Sequence, residues 1–335
     1  MARITIVGAG ITGMAIASLL SRNHEVTIIA KNLPGDELDI SWASPWAGAV
    51  FLGLDGSNLA EQKMQLDSFA VLWRLAVTNP ESSVRRIEIH DFQDERSIED
   101  VWYNGKLPEF RIMEPNELPK GCILGMSYKT VVITPKVFLP WLRKRLEDGG
   151  VKFKRMSLDS LSDARSQGHD ILVNASGSGP RFLMDIQDQK VQYVRGQTIH
   201  VKTSYDKIFM RHGKEYTYVI PRLDGTAVLG GIKQVGKSDP SVDIDIQKDI
   251  ARRVHEDLPN DFPLELTDYD IVGHNVGLRP YRETGVRIEK EILNGEKVVH
   301  AYGVSGGGYV FSFGIARAAR DLVDEFVYQS PVAKL

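Results

Sequence analysis

The residues with the most specific chemistry lie within the first thirteen positions. Gly8-Ala9-Gly10-Ile11-Thr12-Gly13 follows a short apolar run, Arg3 to Val7, and opens a helical stretch, Met14 to Ser21. Glu25 to Ala30 reads as a second strand, closing a unit of about 30 residues, the size of a βαβ dinucleotide fingerprint. Each glycine has a physical task. Gly8 permits the tight turn, Gly10 lets the backbone approach a pyrophosphate, and Gly13 lets the helix pack close to the strand. The helix start offers free N–H groups and partial positive charge to the phosphates. A bare Gly-x-Gly-x-x-Gly occurs in many ordinary turns; strand, loop, helix and strand in order make the dinucleotide reading the better one. Simple NAD-binding units end the second strand in an acid that holds a ribose. This chain has Ala30-Lys31-Asn32, which suits a phosphate or an adenine edge better and disfavours NAD.

The elements that must position this loop can be read from periodicity. Leu33 to Gly53, rich in Pro, Gly, Ser and Trp, reads as a long ordered loop, and Leu59 to Ala76 as a helix. Ser83 to Met126 mixes short strands and turns. Pro135 to Gly149 is an amphipathic helix with Val137, Phe138, Trp141, Leu142 and Leu146 on one face. Val151 to Met156 and Asp170 to Ala175 are strands; the second runs into Ser176-Gly177-Ser178-Gly179, a second edge of the nucleotide crevice, with Leu158 nearby. From Gly196 to Gly231 the alternation changes to that of an antiparallel sheet, which implies a second domain. A helix, Ile246 to Leu258, follows. The chain returns with a strand, a glycine-rich loop and a helix from about Phe311 to Phe326, bringing the C-terminal region back to the cofactor.

Composition narrows the classes. The 335 residues carry 41 Lys+Arg against 44 Asp+Glu, a net charge of −3, which gives no reason to expect nucleic acid or an anionic membrane as partner. One cysteine, Cys122, excludes an intrachain disulfide, and eight scattered histidines without a His-x-x-x-His pair argue against a metal enzyme. No apolar run is long enough to cross a bilayer. The opening strand leaves no room for a signal peptide, and the last three residues, Ala333-Lys334-Leu335, resemble a Ser-Lys-Leu peroxisomal address read by an import receptor.

Five blocks, in order, resemble the D-amino-acid oxidase family of flavoenzymes, and its fungal branch in particular. They are the Gly8–Gly13 loop; Ser44-Pro45-Trp46-Ala47-Gly48-Ala49; Arg195-Gly196-Gln197; Val276-Gly277-Leu278-Arg279-Pro280; and Val299-His300-Ala301-Tyr302-Gly303 through Gly314. The resemblance implies an α/β architecture. A Rossmann-like FAD-binding domain (1–50, 130–200 and 285–335) would interleave with a substrate domain (51–129 and 201–284) whose large antiparallel sheet roofs the flavin. It implies FAD as cofactor and oxidation of a D-amino acid by hydride transfer, with dioxygen as second substrate. The cofactor contacts it implies are Gly8, Gly10, Ile11, Thr12, Gly13, Ala30, Lys31, Ser44, Gly48, Leu158, Ala175, Ser176, Gly177, Arg279, Ser305, Gly306, Gly308, Tyr309 and Val310.

Catalysis in such a site rests on orientation. Arg279 offers a planar fork that binds an α-carboxylate bidentately. Tyr218, which alone would read as a core aromatic on a strand, matches the family's second carboxylate donor, and Gly306 falls where a backbone carbonyl accepts from the substrate amine. Lys233 and Arg211 resemble the pattern of D-aspartate oxidases, so two cations are expected at the substrate side chain and acidic D-amino acids are favoured. His212, next to Arg211, could also reach substrate, although a lone loop histidine is more often solvated. The alternatives are an oxidase of neutral D-amino acids, a pyridine-nucleotide dehydrogenase, and a non-catalytic dinucleotide-binding protein. No metal site is expected, and a homo-oligomer is left open.

Overall fold

The computed structural model describes residues 1–222 and 224–328, so Ala333-Lys334-Leu335 lies outside the described residues. In chain order, β1 (Arg3–Val7), α1 (Ile11–Leu20) and β2 (Glu25–Ala30) form the opening unit. Helix α2 (Leu59–Thr78) leads to β3 (Arg85–Gln93), β4 (Arg111–Ile112) and β5 (Leu124–Val132). Helix α3 (Pro135–Asp148), β6 (Lys152–Arg155) and β7 (Ile171–Asn174) follow, then β8 (Val191–Lys202), β9 (Ile208–His212), β10 (Thr217–Pro221), β11 (Thr226–Gly230) and β12 (Gln234–Val235). The rest is α4 (Ile244–Asp257), β13 (Ile271–Arg282), β14 (Arg287–Leu293), β15 (Glu296–Tyr302) and α5 (Gly308–Tyr328).

Two sheets organise the molecule. The first has six strands in the order β14-β15-β7-β1-β2-β6. Its centre is parallel: Ile4 faces Val26 of β2 on one side and Ile171 of β7 on the other. These strands are buried on both faces and so read as continuous Ile/Val/Leu runs. The second has nine strands. Its main path is β12-β8-β11-β10-β9-β3-β5-β4, and β13 pairs with β8. The expected range 130–200 for the cofactor half therefore ends too late, because β8 belongs to the second sheet. Eleven of its twelve residues pair with β13, from Val191↔Arg282 to Val201↔Ile271, and that ladder joins the substrate sheet to the strand that carries Arg279.

Local chemistry explains the helix boundaries. Asn58 caps α2 by accepting from Glu61 N at 3.0 Å, and the Glu61 carboxylate accepts from Asn58 N at 3.0 Å. Pro135 starts α3 at a position that needs no N–H donor, and Asp243 caps α4. Helix α5 begins three residues earlier than the expected Phe311, directly after a tight turn at Ser305–Gly307. Glycine disfavours a helix start on propensity alone, so the packing of α5 against α1 and α2 overrides it. That packing is close: a Cβ on Gly314 would lie 1.9 Å from the carbonyl oxygen of Met64.

Candidate active site

A cavity of about 1210 Å³ runs from the glycine loop after β1 to the inner face of the second sheet. Its phosphate-binding end is built from absences. Gly8 has φ +114°, and a Cβ there would lie 2.4 Å from the Ala175 carbonyl oxygen. Gly13 does not line the cavity; it sits behind the loop, where a Cβ would lie 2.0 Å from the Gly8 oxygen. Its task is helix–strand packing, as the spacing suggests. Helix α1 has no acidic residue in its first turn, so its positive end is uncompensated there. Ile11 N donates to Ser44 Oγ at 3.0 Å. Beside it the indole N–H of Trp42 is buried without a partner at the cavity wall. A phosphate-bearing dinucleotide would supply the partner that the indole lacks, and the glycine loop at the helix start is of the right kind to hold one. Trp42 was not read from the sequence; only its place in the loop after β2 hinted at it.

The other expected cofactor contacts, Gly8, Gly10, Ile11, Thr12, Ala30, Lys31, Ser44, Gly48, Leu158, Ala175, Ser176, Gly177, Arg279, Ser305, Gly306, Gly308, Tyr309 and Val310, all line this cavity. Lys31 is not a free cation: its ammonium lies 2.9 Å from the Asp39 carboxylate. Tyr309 donates to the Ser44 carbonyl at 3.1 Å, tying the last helix to the loop that caps α1.

At the sheet end, Arg279 and Tyr218 come together. Arg279 Nη1 donates to the Ile232 carbonyl at 3.0 Å, and no carboxylate among the described residues pairs with Arg279. Its room comes from Gly196 on the neighbouring strand, where a Cβ would lie 2.6 Å from the guanidinium. Tyr218 is buried in a slot cut by Gly230 and Gly231; a Cβ on either would lie 2.3 Å from its ring. Burial raises the Tyr218 phenol above its ordinary pKa and the Arg279 charge opposes this, so the hydroxyl remains a donor at neutral pH. The Tyr216 ring packs edge-on at 5.6 Å from that of Tyr218. The Lys233 ammonium lies 4.1 Å from the centre of the Tyr216 ring, at the cavity wall. Partial burial, and then the Arg279 charge, lower the Lys233 pKa from its usual value.

Arg211 is not at the cavity. It is buried on the opposite side of β9, with Nε 2.8 Å from Asp94 and Nη1 2.6 Å from Asp257. Two carboxylates already occupy it, so it has no free face for substrate. The reason is the pleat: neighbours on a strand face opposite ways. Met210 and His212 line the cavity, whereas Phe209 and Arg211 point into a second core that packs against α4. Tyr218 lies opposite Met210 in the ladder, and Thr217 opposite Arg211.

Comparison with known proteins agrees with this geometry. Residues 3–322 match the family described as FAD dependent oxidoreductase (DAO). The chain is 31% identical to a D-amino-acid oxidase of Fusarium vanettenii, with 96% of each chain covered. It is 30% identical to a D-aspartate oxidase of Talaromyces thermophilus (96% of this chain, 95% of that one) and 30% identical to a human D-aspartate oxidase (99% and 98%). Among solved structures, glycine oxidase from Geobacillus kaustophilus superposes with a TM-score of 0.76 at 19% identity, covering 97% of this chain and 95% of that one. The glycine cradle, the orphaned Trp42 indole and these full-length matches lead to one conclusion: the chain belongs to the DAO family of FAD dependent oxidoreductases, the family of the D-amino-acid and D-aspartate oxidases.

Proposed function

We propose that this enzyme oxidises D-amino acids, acidic ones preferentially, to 2-oxo acids, ammonia and hydrogen peroxide. FAD, when bound, would supply the acceptor for the hydride from the substrate Cα and the route by which two electrons reach dioxygen. The imino acid then takes up water and loses ammonia. The protein's part is to bind and orient. Arg279 holds the α-carboxylate through two parallel hydrogen bonds, Tyr218 donates a third, and the Gly306 carbonyl accepts from the amine. Carboxylate, amine and a Cα–H that must face the hydride acceptor fix three directions at one carbon, and together they select one enantiomer. The supporting observation is that Arg279 stands in the cavity wall beside Tyr218 with no carboxylate partner among the described residues.

The preference for acidic substrates rests on Lys233, whose ammonium also lacks a carboxylate partner among the described residues and stands in the same wall. The decisive experiment is a peroxide assay over a panel of D- and L-amino acids with added FAD. Turnover of D-aspartate well above D-alanine, and of neither L-enantiomer, is the expected result. Better turnover of D-alanine would replace the acidic preference with a neutral one, and peroxide from L-amino acids would overturn the orientation argument.

A further inference from the structure

We propose that His212, backed by the buried carboxylate of Asp91, is a side-chain-selecting residue of this site and meets the distal carboxylate of acidic substrates. The inference rests on the D-amino-acid reading above and names the group that stands where Arg211 was expected.

His212 ends β9 on the cavity side, in the wall of the large cavity and also of a smaller outer one of about 750 Å³. Behind it, on β3, Asp91 is fully buried. Its Oδ2 accepts from Tyr103 OH at 2.8 Å and Tyr128 OH at 2.9 Å. Its Oδ1 accepts from Gln93 Nε2 at 3.1 Å and lies 3.4 Å from His212 Nε2. A solvent-facing structural histidine has no need of such a shell. The imidazole Nε2 is itself buried and makes no hydrogen bond, so Asp91 stands behind the ring while that nitrogen is left without a partner among the described residues.

An unpartnered ring nitrogen at the cavity wall is costly to leave so; a side-chain carboxylate that accepts from it would satisfy it, which an apolar side chain cannot do.

The other charged and titratable groups around His212 leave this role open. Arg211, its chain neighbour, faces Asp94 and Asp257. Asp55 is paired with Arg96. Tyr216 packs with its ring centre 6.2 Å from the imidazole, and Lys233 lies beyond it on the same ring. In the outer cavity Arg252 is paired with Glu215 and Asp249, and Arg253 with Asp249, while Lys214 and Glu95 complete the charged wall. His212 and Lys233, both close to the Tyr216 ring, are thus the two nitrogen donors that a distal carboxylate would meet.

The test uses FAD-loaded enzyme and two readouts. One is KM and kcat for D-aspartate and D-alanine; the other is binding of succinate against butyrate, followed by the flavin absorption change. In the wild type, succinate is expected to bind more tightly than butyrate. His212→Gln raises KM for D-aspartate and weakens succinate by roughly 10-fold or more, with D-alanine and butyrate within about 2-fold. His212→Lys restores D-aspartate affinity. Equal losses for D-aspartate and D-alanine, or a Lys variant no better than the Gln variant, overturn the proposal. A wild-type holoenzyme that makes no peroxide from any D-amino acid sinks the functional reading instead, and the succinate–butyrate comparison then judges His212 by itself.

Discussion

Tyr218 owes its place to what Gly230 and Gly231 lack. An alanine at either position would put a carbon 2.3 Å from the phenol ring, too close for any real contact, so the ring must turn out of the slot. Gly230→Ala should therefore lower kcat/KM for every substrate much as loss of Tyr218 would, in a protein that still binds FAD; steady-state kinetics and the flavin spectrum check both halves. Tyr218→Phe removes one hydrogen bond to the α-carboxylate and should cost about 1 kcal/mol, roughly 5-fold in kcat/KM. Arg279→Met removes the charge and the fork together, and a loss of about 3 kcal/mol or more, over 100-fold, is expected. Lys233→Met should raise KM for D-aspartate about 10-fold while sparing D-alanine; equal changes would show that Lys233 does not meet the side chain.

At the scale of elements, the parts legible in the sequence were those with a strong local period. The β1–α1–β2 unit, α3 and α4 lie within a few residues of where apolar spacing and capping put them. The start of α5 was not legible, because its glycines argue against helix and only contact with α2 explains them. Arg211 shows the same division. Its distance from Tyr218 along the chain suggested a shared pocket, but which face of β9 each residue takes is set by register. Counting alternate positions from Met210 would have chosen His212. Asp91 could not have been found, since its meaning comes from two tyrosines 12 and 37 residues away. The α2–α5 crossing yields its own prediction. In Gly314→Ala the new methyl meets the Met64 carbonyl at 1.9 Å, so the helices must separate, at a cost of roughly 2–4 kcal/mol. Urea unfolding would measure it, and an unchanged midpoint would mean that the crossing is looser than described.

For the molecule as a whole, stability should carry an acid limb traceable to one buried side chain. His300 has no exposed surface; burial, and then the Arg287 charge, push its pKa down to about 4. The unfolded chain takes up that proton near pH 6.5, the folded chain only near 4, so between those values unfolding binds protons and stability falls as pH falls. The contribution is complete above pH 6.5 and amounts to about 3 kcal/mol. Urea midpoints taken across this window should slope in the wild type and flatten in His300→Gln. Added FAD should raise the melting temperature in a concentration-dependent way, since it binds only the folded form.

The order of strands in the first sheet bears on how the enzyme is made. The phosphate loop is synthesised within the first thirteen residues, yet β1 gains its second neighbour only with β7, and β7 gains its own only with β15, close to the end of the described chain. A nascent polypeptide still on the ribosome would present the loop on a sheet with a missing flank, and Tyr309, which pins Ser44, would not yet have been translated. Cofactor capture in the finished cradle must then follow the synthesis of β15 and of Tyr309.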